Sequence, residues 1–173
     1  MNRTFKVACI QTNSGADVQA NLDSAIYFAR KARDTGADLI ALPETVNVMA
    51  ADRVILKLHT EPEEDNVALH AFQDLAHETG AWVLVGSLLV EVPGSEKMAN
   101  RSFLLDDKGI IRARYDKIHM FDVKLGGAEN HSESKYFNAG DKLILSTTPW
   151  GKVGLTICYD LRFAYLYRAL AQA

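Results

Sequence analysis

The sequence has little of what nucleic-acid binding, membrane insertion or disulfide formation requires. Its 19 basic and 22 acidic residues give a net charge of −3, so no basic excess is available to neutralise a phosphate backbone. The longest largely apolar run, residues 82–90, is about half of the ~20 residues that a membrane span needs. Two cysteines, Cys9 and Cys158, can build neither a disulfide framework nor a zinc site. With a start that contains no signal-peptide core, these absences predict a cytoplasmic protein without a nucleic-acid or membrane partner.

What is present suffices for one domain over residues 1–173, since 48% of the residues are hydrophobic. Apolar residues recur with helical spacing over 17–35 and 66–79, and short apolar runs typical of strands lie around these segments. Such alternation of strands and helices predicts an α/β fold. The predicted strands are 5–10, 38–42, 81–90, 101–106, 110–115, 142–146 and 152–157, with a last helix over 161–173 and a polar surface loop over 124–140.

Two charged residues are hard to explain as ordinary structure. Counting by two along the strand 110–115 places Lys117 on its apolar face, where an ammonium is costly unless a carboxylate pairs with it. The alternative is that the strand has ended and that the lysine points to solvent. Glu44 follows a buried strand that Pro43 terminates, at the end of an α/β sheet where ligands gather. The alternative there is a surface glutamate that starts a loop.

Cys158 is a third residue that is hard to explain as ordinary structure. It ends a predicted strand and precedes a predicted helix, whose free N–H groups would face an anion and lower the pKa of the thiol. The alternative is a small buried hydrophobic residue, which is also how we interpret Cys9 in the middle of the first strand.

These three residues lie in strings that resemble the nitrilase superfamily of carbon–nitrogen hydrolases, most closely its Nit-type amidase branch. The strings are ADLIALPET around Glu44, YDKIHMFDV around Lys117, GLTICYDLRFAYLYRAL around Cys158, HSESKYFNAGD with Glu133, and the opening VACIQTNSGADVQANLDSA. The resemblance implies an α-β-β-α sandwich, of which this chain holds the first half and the nucleophile strand and helix. Two features depart from the family: Ala164 stands where proline is usual, and family members are considerably longer.

The resemblance also implies a Glu44-Lys117-Cys158 triad that hydrolyses a small linear amide without metal or organic cofactor. Cys158 would form a thioester, and Glu44 would be its base. Lys117 and the backbone N–H of Tyr159 would hold the oxyanion, with Glu133 orienting the lysine. His119 would support the site. The expected substrates are those of omega-amidases or deaminated-glutathione amidases, with water as co-substrate, in a homo-oligomer.

Three alternatives stay open from the residues alone. Cys158 could pair with His119 or His131 in a Cys–His hydrolase. Arg162, four residues beyond Cys158, could bind a substrate carboxylate or instead form an ion pair with Asp160. The chain could also be an inactive remnant that acts through protein interaction, because family members are considerably longer. A missing second half would leave the inner face of the sheet bare, so residues 1–173 alone are expected to be poorly stable or self-associating. Whether residues 1–173 alone are active is left open.

Overall fold

The computed structural model describes residues 4–124 and 130–173, and a five-stranded mixed sheet forms its centre. The strands are β1 (Val7–Cys9), β2 (Leu39–Ala41), β3 (Trp82–Glu91), β4 (Met98–Leu105) and β5 (Ile111–Asp116), in that order across the sheet. The pairs β1–β2 and β2–β3 are parallel, whereas β3–β4 and β4–β5 are antiparallel. The predicted α/β class is confirmed.

Two long helices cover one face of this sheet. The helices of this half are α1 (Val18–Asp34), α2 (Arg53–Leu58) and α3 (Val67–Thr79), and a single turn of 3₁₀ helix precedes α3 at Glu63–Asp65. The two long helices end where the sequence predicts. The side chain of Asp17 caps the start of α1, Asn66 caps that of α3, and Gly80 ends α3 at a φ of 60°. Their apolar sides form one core with the strands, centred on Phe72 and Phe103.

The second face of the sheet packs against a hairpin from the later part of the chain. This hairpin consists of β8 (Leu145–Thr148) and β9 (Gly151–Gly154). Two shorter strands that precede it in the chain, β6 (Asp122–Lys124) and β7 (Asn130–Ser132), pair with each other. Leu155 and Ile157 cluster with Leu39, Trp82 and Tyr115 of the sheet, all of them buried. The expectation of a bare inner face is therefore wrong for these side chains.

The chain turns sharply after this cluster. The predicted strand 152–157 ends at Gly154, and the predicted helix 161–173 begins only with α4 (Ala164–Gln172), after a 3₁₀ helix over Cys158–Arg162. Cys158 has a left-handed φ of 48°, which an α-helix does not accommodate, so the helix cannot begin at this residue. Ala164, which stands where the family usually has proline, is the first residue of α4. The first position of a helix is the one where proline is tolerated best.

The predicted loop 124–140 contains structure of its own. It includes β7 and a 3₁₀ turn at Glu133–Lys135, while its residues 125–129 lie outside the described part of the chain. No helix in the described ranges is long and apolar enough to cross a membrane.

Candidate active site

Glu44 lies just beyond β2, on a segment fixed by an irregularity in β3. The register of β3 shifts between Val85 and Leu88. There the hydroxyl of Ser87 accepts a hydrogen bond of 2.8 Å from the backbone N–H of Thr45. Thr45 has a φ of 47°, which is rare for a β-branched residue and costs on the order of 1–3 kcal/mol. The surrounding contacts thus hold the backbone beside Glu44 in one unusual conformation.

The neighbouring Gly86 shows how closely this segment approaches β3. A Cβ atom at Gly86 would lie 2.2 Å from the carbonyl oxygen of Leu42 and 2.3 Å from that of Pro43. Only a residue without a side chain lets the two backbones approach this closely, so Gly86 helps to set the position of Glu44.

Lys117 lies on the apolar face, as the alternation along β5 predicts, and is 2% exposed. Its backbone is held on both sides, since its N–H donates to the carbonyl of Asn100 and its carbonyl accepts from the N–H of Gly140. The ammonium lies 3.1 Å from Glu44 Oε1 and 3.0 Å from the Glu133 carboxylate. Burial opposes its charge, but the two carboxylates outweigh burial and raise the pKa of Lys117. The side chain is therefore a cation at neutral pH.

The two carboxylates around Lys117 are themselves held by further hydrogen bonds. The backbone N–H of Phe121, next to β6, donates to Glu133 at 2.6 Å, which links the antiparallel β6–β7 pair to the cluster. The side-chain amide of Asn100 donates to Glu44 Oε1 at 2.8 Å. The sequence analysis did not single out Asn100; the available signal was an amide residue within the buried strand β4.

Cys158 lines the same cavity as Glu44, Lys117 and Glu133, a space of about 220 Å³. Burial, together with the nearby Glu44 and Glu133 carboxylates, raises the pKa of its thiol, and Lys117 opposes this only in part. The expected lowering of the pKa is therefore wrong, because burial and the two carboxylates dominate, and Cys158 begins a 3₁₀ helix rather than preceding an α-helix. The thiol is neutral at pH 7 and needs a base before it can act as a nucleophile.

Asp160 closes the turn that begins at Cys158, and it is fully buried. Its carboxylate accepts from the hydroxyl of Tyr115 at 2.7 Å, from the N–H of Ile157 at 2.9 Å and from the N–H of His119 at 3.0 Å. It also lies 2.7 Å from Nδ1 of His119. Burial and the bond to Asp160 raise the pKa of Tyr115, so the phenol stays a donor. The sequence analysis had considered Asp160 only as a partner of Arg162.

The two histidines occupy different places. His119 stacks on Phe163, with ring centroids 3.5 Å apart, and lies against Asp160. His131 lines the cavity. The hydrogen bonds of residues 4–124 and 130–173 include none between either histidine and Cys158. The geometry therefore places carboxylates and an ammonium, rather than an imidazole, beside the thiol.

The two remaining residues of the predicted site, Tyr159 and Arg162, do not line the cavity. Tyr159 follows Cys158 in the first turn of the 3₁₀ helix, where backbone N–H groups have no acceptor within the helix. Arg162 is exposed and does not line the cavity. Its alternative ion pair with Asp160 does not form, and its substrate-binding role stays a prediction.

Cys9, interpreted from the sequence as buried, is exposed, so that expectation is wrong. The reason is that β1 is the outermost strand of the sheet. Ala8 packs against the helix-covered core, and alternation turns Cys9 to the opposite side. Within the described ranges, no cluster of three or more His, Cys, Asp or Glu side chains is arranged to hold a metal ion.

Comparison with known proteins identifies the family. The sequence profile of the carbon–nitrogen hydrolases matches residues 6–173. The chain belongs to the carbon–nitrogen hydrolase family. It is 34% identical to deaminated glutathione amidase of Yersinia enterocolitica, over 97% of this chain and 59% of that protein. It is 32% identical to human omega-amidase NIT2, over 98% of this chain and 60% of that protein.

Solved structures place this carbon–nitrogen hydrolase chain in the nitrilase superfamily. The Caenorhabditis elegans NitFhit protein aligns with a TM-score of 0.84 at 28% identity, over 94% of this chain and 40% of that one. Nit3 of Saccharomyces cerevisiae, a member of the nitrilase superfamily, aligns with a TM-score of 0.83 at 25% identity, over 97% of this chain and 60% of that one. The resemblance to Nit-type proteins is confirmed, and the chain spans about three fifths of the length of the two amidases named above.

Proposed function

We propose that the protein hydrolyses a small linear amide to a carboxylic acid and ammonia, with Cys158 as nucleophile. One observation carries this proposal: a buried lysine ammonium lies between two carboxylates in the cavity that a neutral cysteine thiol also lines. The relatives named as amidases support the reaction class, and their names suggest amides of the omega-amidase or deaminated-glutathione type.

In the first half of the reaction Glu44 removes the proton of the Cys158 thiol as the sulfur bonds to the amide carbonyl carbon. The carbonyl double bond opens, and its electrons form an oxyanion on a tetrahedral intermediate. The Lys117 ammonium and the backbone N–H of Tyr159 stabilise that charge, an effect worth about 3 kcal/mol per donor in other hydrolases. Because Glu133 shares Lys117, it keeps the ammonium oriented while Glu44 changes its protonation state.

In the second half Glu44 gives the proton to the departing nitrogen, and the carbon–nitrogen bond breaks. Ammonia leaves and a thioester on Cys158 remains. A water molecule then attacks the thioester carbonyl as Glu44 takes one of its protons, and the returned proton restores the thiol when the acid leaves. Asp160 and His119 support the turn that bears Cys158 without entering this proton transfer.

The test is ammonia release from α-ketoglutaramate and deaminated glutathione by the purified protein. Cys158→Ala should abolish release, and Glu44→Gln should lower kcat by about 10²- to 10⁴-fold, because it removes the general base. Cys9→Ala, the matched cysteine outside the cavity, should retain the activity of the unsubstituted protein. His119→Ala and His131→Ala should each lose less than Glu44→Gln.

Two results would overturn the proposal. If a histidine substitution were as damaging as Glu44→Gln is expected to be, and Glu44→Gln were mild, the protein would be a Cys–His hydrolase. If the folded protein released no ammonia from a broad amide panel, the proposed amidase function would fail, and the alternative of an inactive remnant would be favoured.

A further inference from the structure

A second cation, Arg53, lines the cavity that Glu44, Lys117 and Glu133 also line. Arg53 is the first residue of α2, and both Arg53 and Leu56, three residues further on, line the space that Cys158 also lines. Residues three apart lie on one face of a helix, so the first turn of α2 faces the cavity. Asp52 caps this turn by accepting from the N–H of Val54 and thereby fixes Arg53 as the first residue of α2.

The contacts of Arg53 leave its hydrogen-bond donors available. Its guanidinium lies over the ring of Tyr136, 5.2 Å from the centroid. This cation–π contact uses none of the guanidinium N–H groups as hydrogen-bond donors, and a guanidinium with free N–H groups can bind a carboxylate with two parallel hydrogen bonds. Among residues 4–124 and 130–173 no carboxylate forms an ion pair with Arg53.

The charges of the Glu44–Lys117–Glu133 cluster determine how an anionic molecule would be oriented in the cavity. Glu44 and Glu133 share the single ammonium of Lys117, so this cluster carries one more negative than positive charge. A carboxylate placed there would be repelled, whereas a neutral amide would not. An amide that also bears a carboxylate would therefore place the carboxylate toward Arg53 and the amide toward Cys158.

Apolar side chains line the cavity as well, and they suit the carbon chain of such a molecule. They are Val48, Met49, Leu56, Leu89, Phe121 and Phe137. We propose that Arg53 is the specificity-determining residue that binds the carboxylate of a short dicarboxylic monoamide whose amide lies at Cys158. This inference rests on the proposed amidase function and names Arg53, in place of Arg162, as the carboxylate-binding arginine.

The experiment compares succinamate with succinamide, which has nearly the same shape but carries an amide in place of the carboxylate. Arg53→Gln should raise KM for succinamate by about tenfold or more, because a charge-assisted bidentate contact is lost. It should change KM for succinamide by less than about twofold and leave kcat for both similar. Arg53→Lys should give an intermediate KM, because a lysine keeps the charge but not the paired donors.

Arg168→Gln is the matched control, since Arg168 is an exposed arginine of α4 that does not line the cavity. It should change neither KM. The inference is overturned if Arg53→Gln affects both amides equally, which would indicate a structural role. It is also overturned if Arg162→Gln, rather than Arg53→Gln, selectively raises KM for succinamate.

Binding separates this inference from the proposed function. Titration calorimetry of succinamate into the Cys158→Ala protein measures affinity without catalysis. The inference predicts binding that weakens by about tenfold or more when Arg53→Gln is added. If the unsubstituted protein hydrolysed neither amide but this weakening were seen, the proposed function would fail and the Arg53 site would stand. Unchanged binding in the double variant would overturn the site itself.

Discussion

Two charged clusters lie on opposite sides of the β4–β5 pair, one residue apart in sequence, and they are built differently. Arg101 lies opposite Asp116 in the strand register, and the next pair of positions holds Asn100 and Lys117. Because side chains alternate along a strand, the two pairs face opposite ways. The outer cluster consists of Arg101, Arg114, Glu63 and Asp116, and the inner cluster consists of Glu44, Lys117 and Glu133.

The outer cluster is balanced. Arg101 bonds both carboxylate oxygens of Asp116 at 2.6 and 2.9 Å and Glu63 at 2.8 Å, and Arg114 bonds the second oxygen of Glu63. Two cations match two carboxylates, and all four side chains are partly exposed. Such a cluster has no unused charge, and its role is to hold β4, β5 and the turn at Glu63 together.

The inner cluster is unbalanced and more deeply buried. A single ammonium is shared by two carboxylates, and a neutral thiol lines the same cavity. In the proposed reaction, the surplus carboxylate is what would allow Glu44 to accept a proton from Cys158. The difference teaches that an ion cluster with an uncompensated charge next to a cavity indicates chemistry, whereas a balanced cluster indicates structure.

The largest expected contrast is in the rate. Glu44→Gln should lower kcat for ammonia release by about 100-fold or more. Glu63→Gln, the matched change in the outer cluster, should alter kcat by less than about twofold, since it lies outside the cavity. Initial rates at saturating amide provide the measurement, and a comparable loss in both variants would remove the distinction between the clusters.

The next contrast is in the free energy of unfolding. Lys117→Met leaves two carboxylates facing a cavity without their cation and should cost about 3–5 kcal/mol. Arg101→Met, whose partners are partly exposed and can be hydrated, should cost about 1–2 kcal/mol. Urea denaturation followed by circular dichroism measures both free energies of unfolding. A larger loss for Arg101→Met would show that the outer cluster, and not the inner one, contributes more to stability.

A third change tests the support beneath Cys158. Asp160→Asn replaces one acceptor oxygen by an NH₂ group that faces hydrogen-bond donors, so it should cost about 1–3 kcal/mol of stability. The melting temperature should fall accordingly. A melting temperature equal to that of the unsubstituted protein would show that the buried carboxylate does not hold the turn.

The smallest expected effect is a shift in pH dependence. The pKa of the Cys158 thiol is raised by burial and by Glu44, so in a Cys9→Ala background its alkylation by iodoacetamide should reach half-maximal rate above the usual pH for a thiol. Glu44→Gln removes a neighbouring negative charge and should move the midpoint to lower pH. A midpoint that moves upward or not at all would show that Glu44 does not face the thiol.

Local sequence patterns predicted much of the fold. The helical spacing over 17–35 and 66–79 predicted the ends of α1 and α3 to within one residue, because the apolar period of a helix is a local property. Alternation along β5 likewise placed Lys117 on the buried face, because side-chain direction within a strand is a local property. The family resemblance then predicted that Glu44 and Glu133 lie beside the lysine, which the spacing of residues in the sequence could not show.

What the sequence did not predict depends on contacts between distant segments. The raised pKa of Cys158 comes from burial and from Glu44, more than a hundred residues away, whereas the sequence suggested only a following helix. The exposure of Cys9 follows from the outermost position of β1 in the sheet. Arg53 reaches the cavity because α2 packs there, and nothing in its own neighbourhood indicates that.

The central claim is that Cys158 forms a covalent bond to the substrate acyl group, and mass spectrometry of acid-quenched protein tests it most directly. During turnover of an amide, the account predicts an added mass equal to the acyl group, located on the peptide that contains Cys158 and removed by hydroxylamine as a thioester would be. Cys158→Ala should show no adduct, and Cys9→Ala should show the same adduct as the unsubstituted protein. Ammonia release with an adduct on another residue, or undiminished release by Cys158→Ala, would contradict the account.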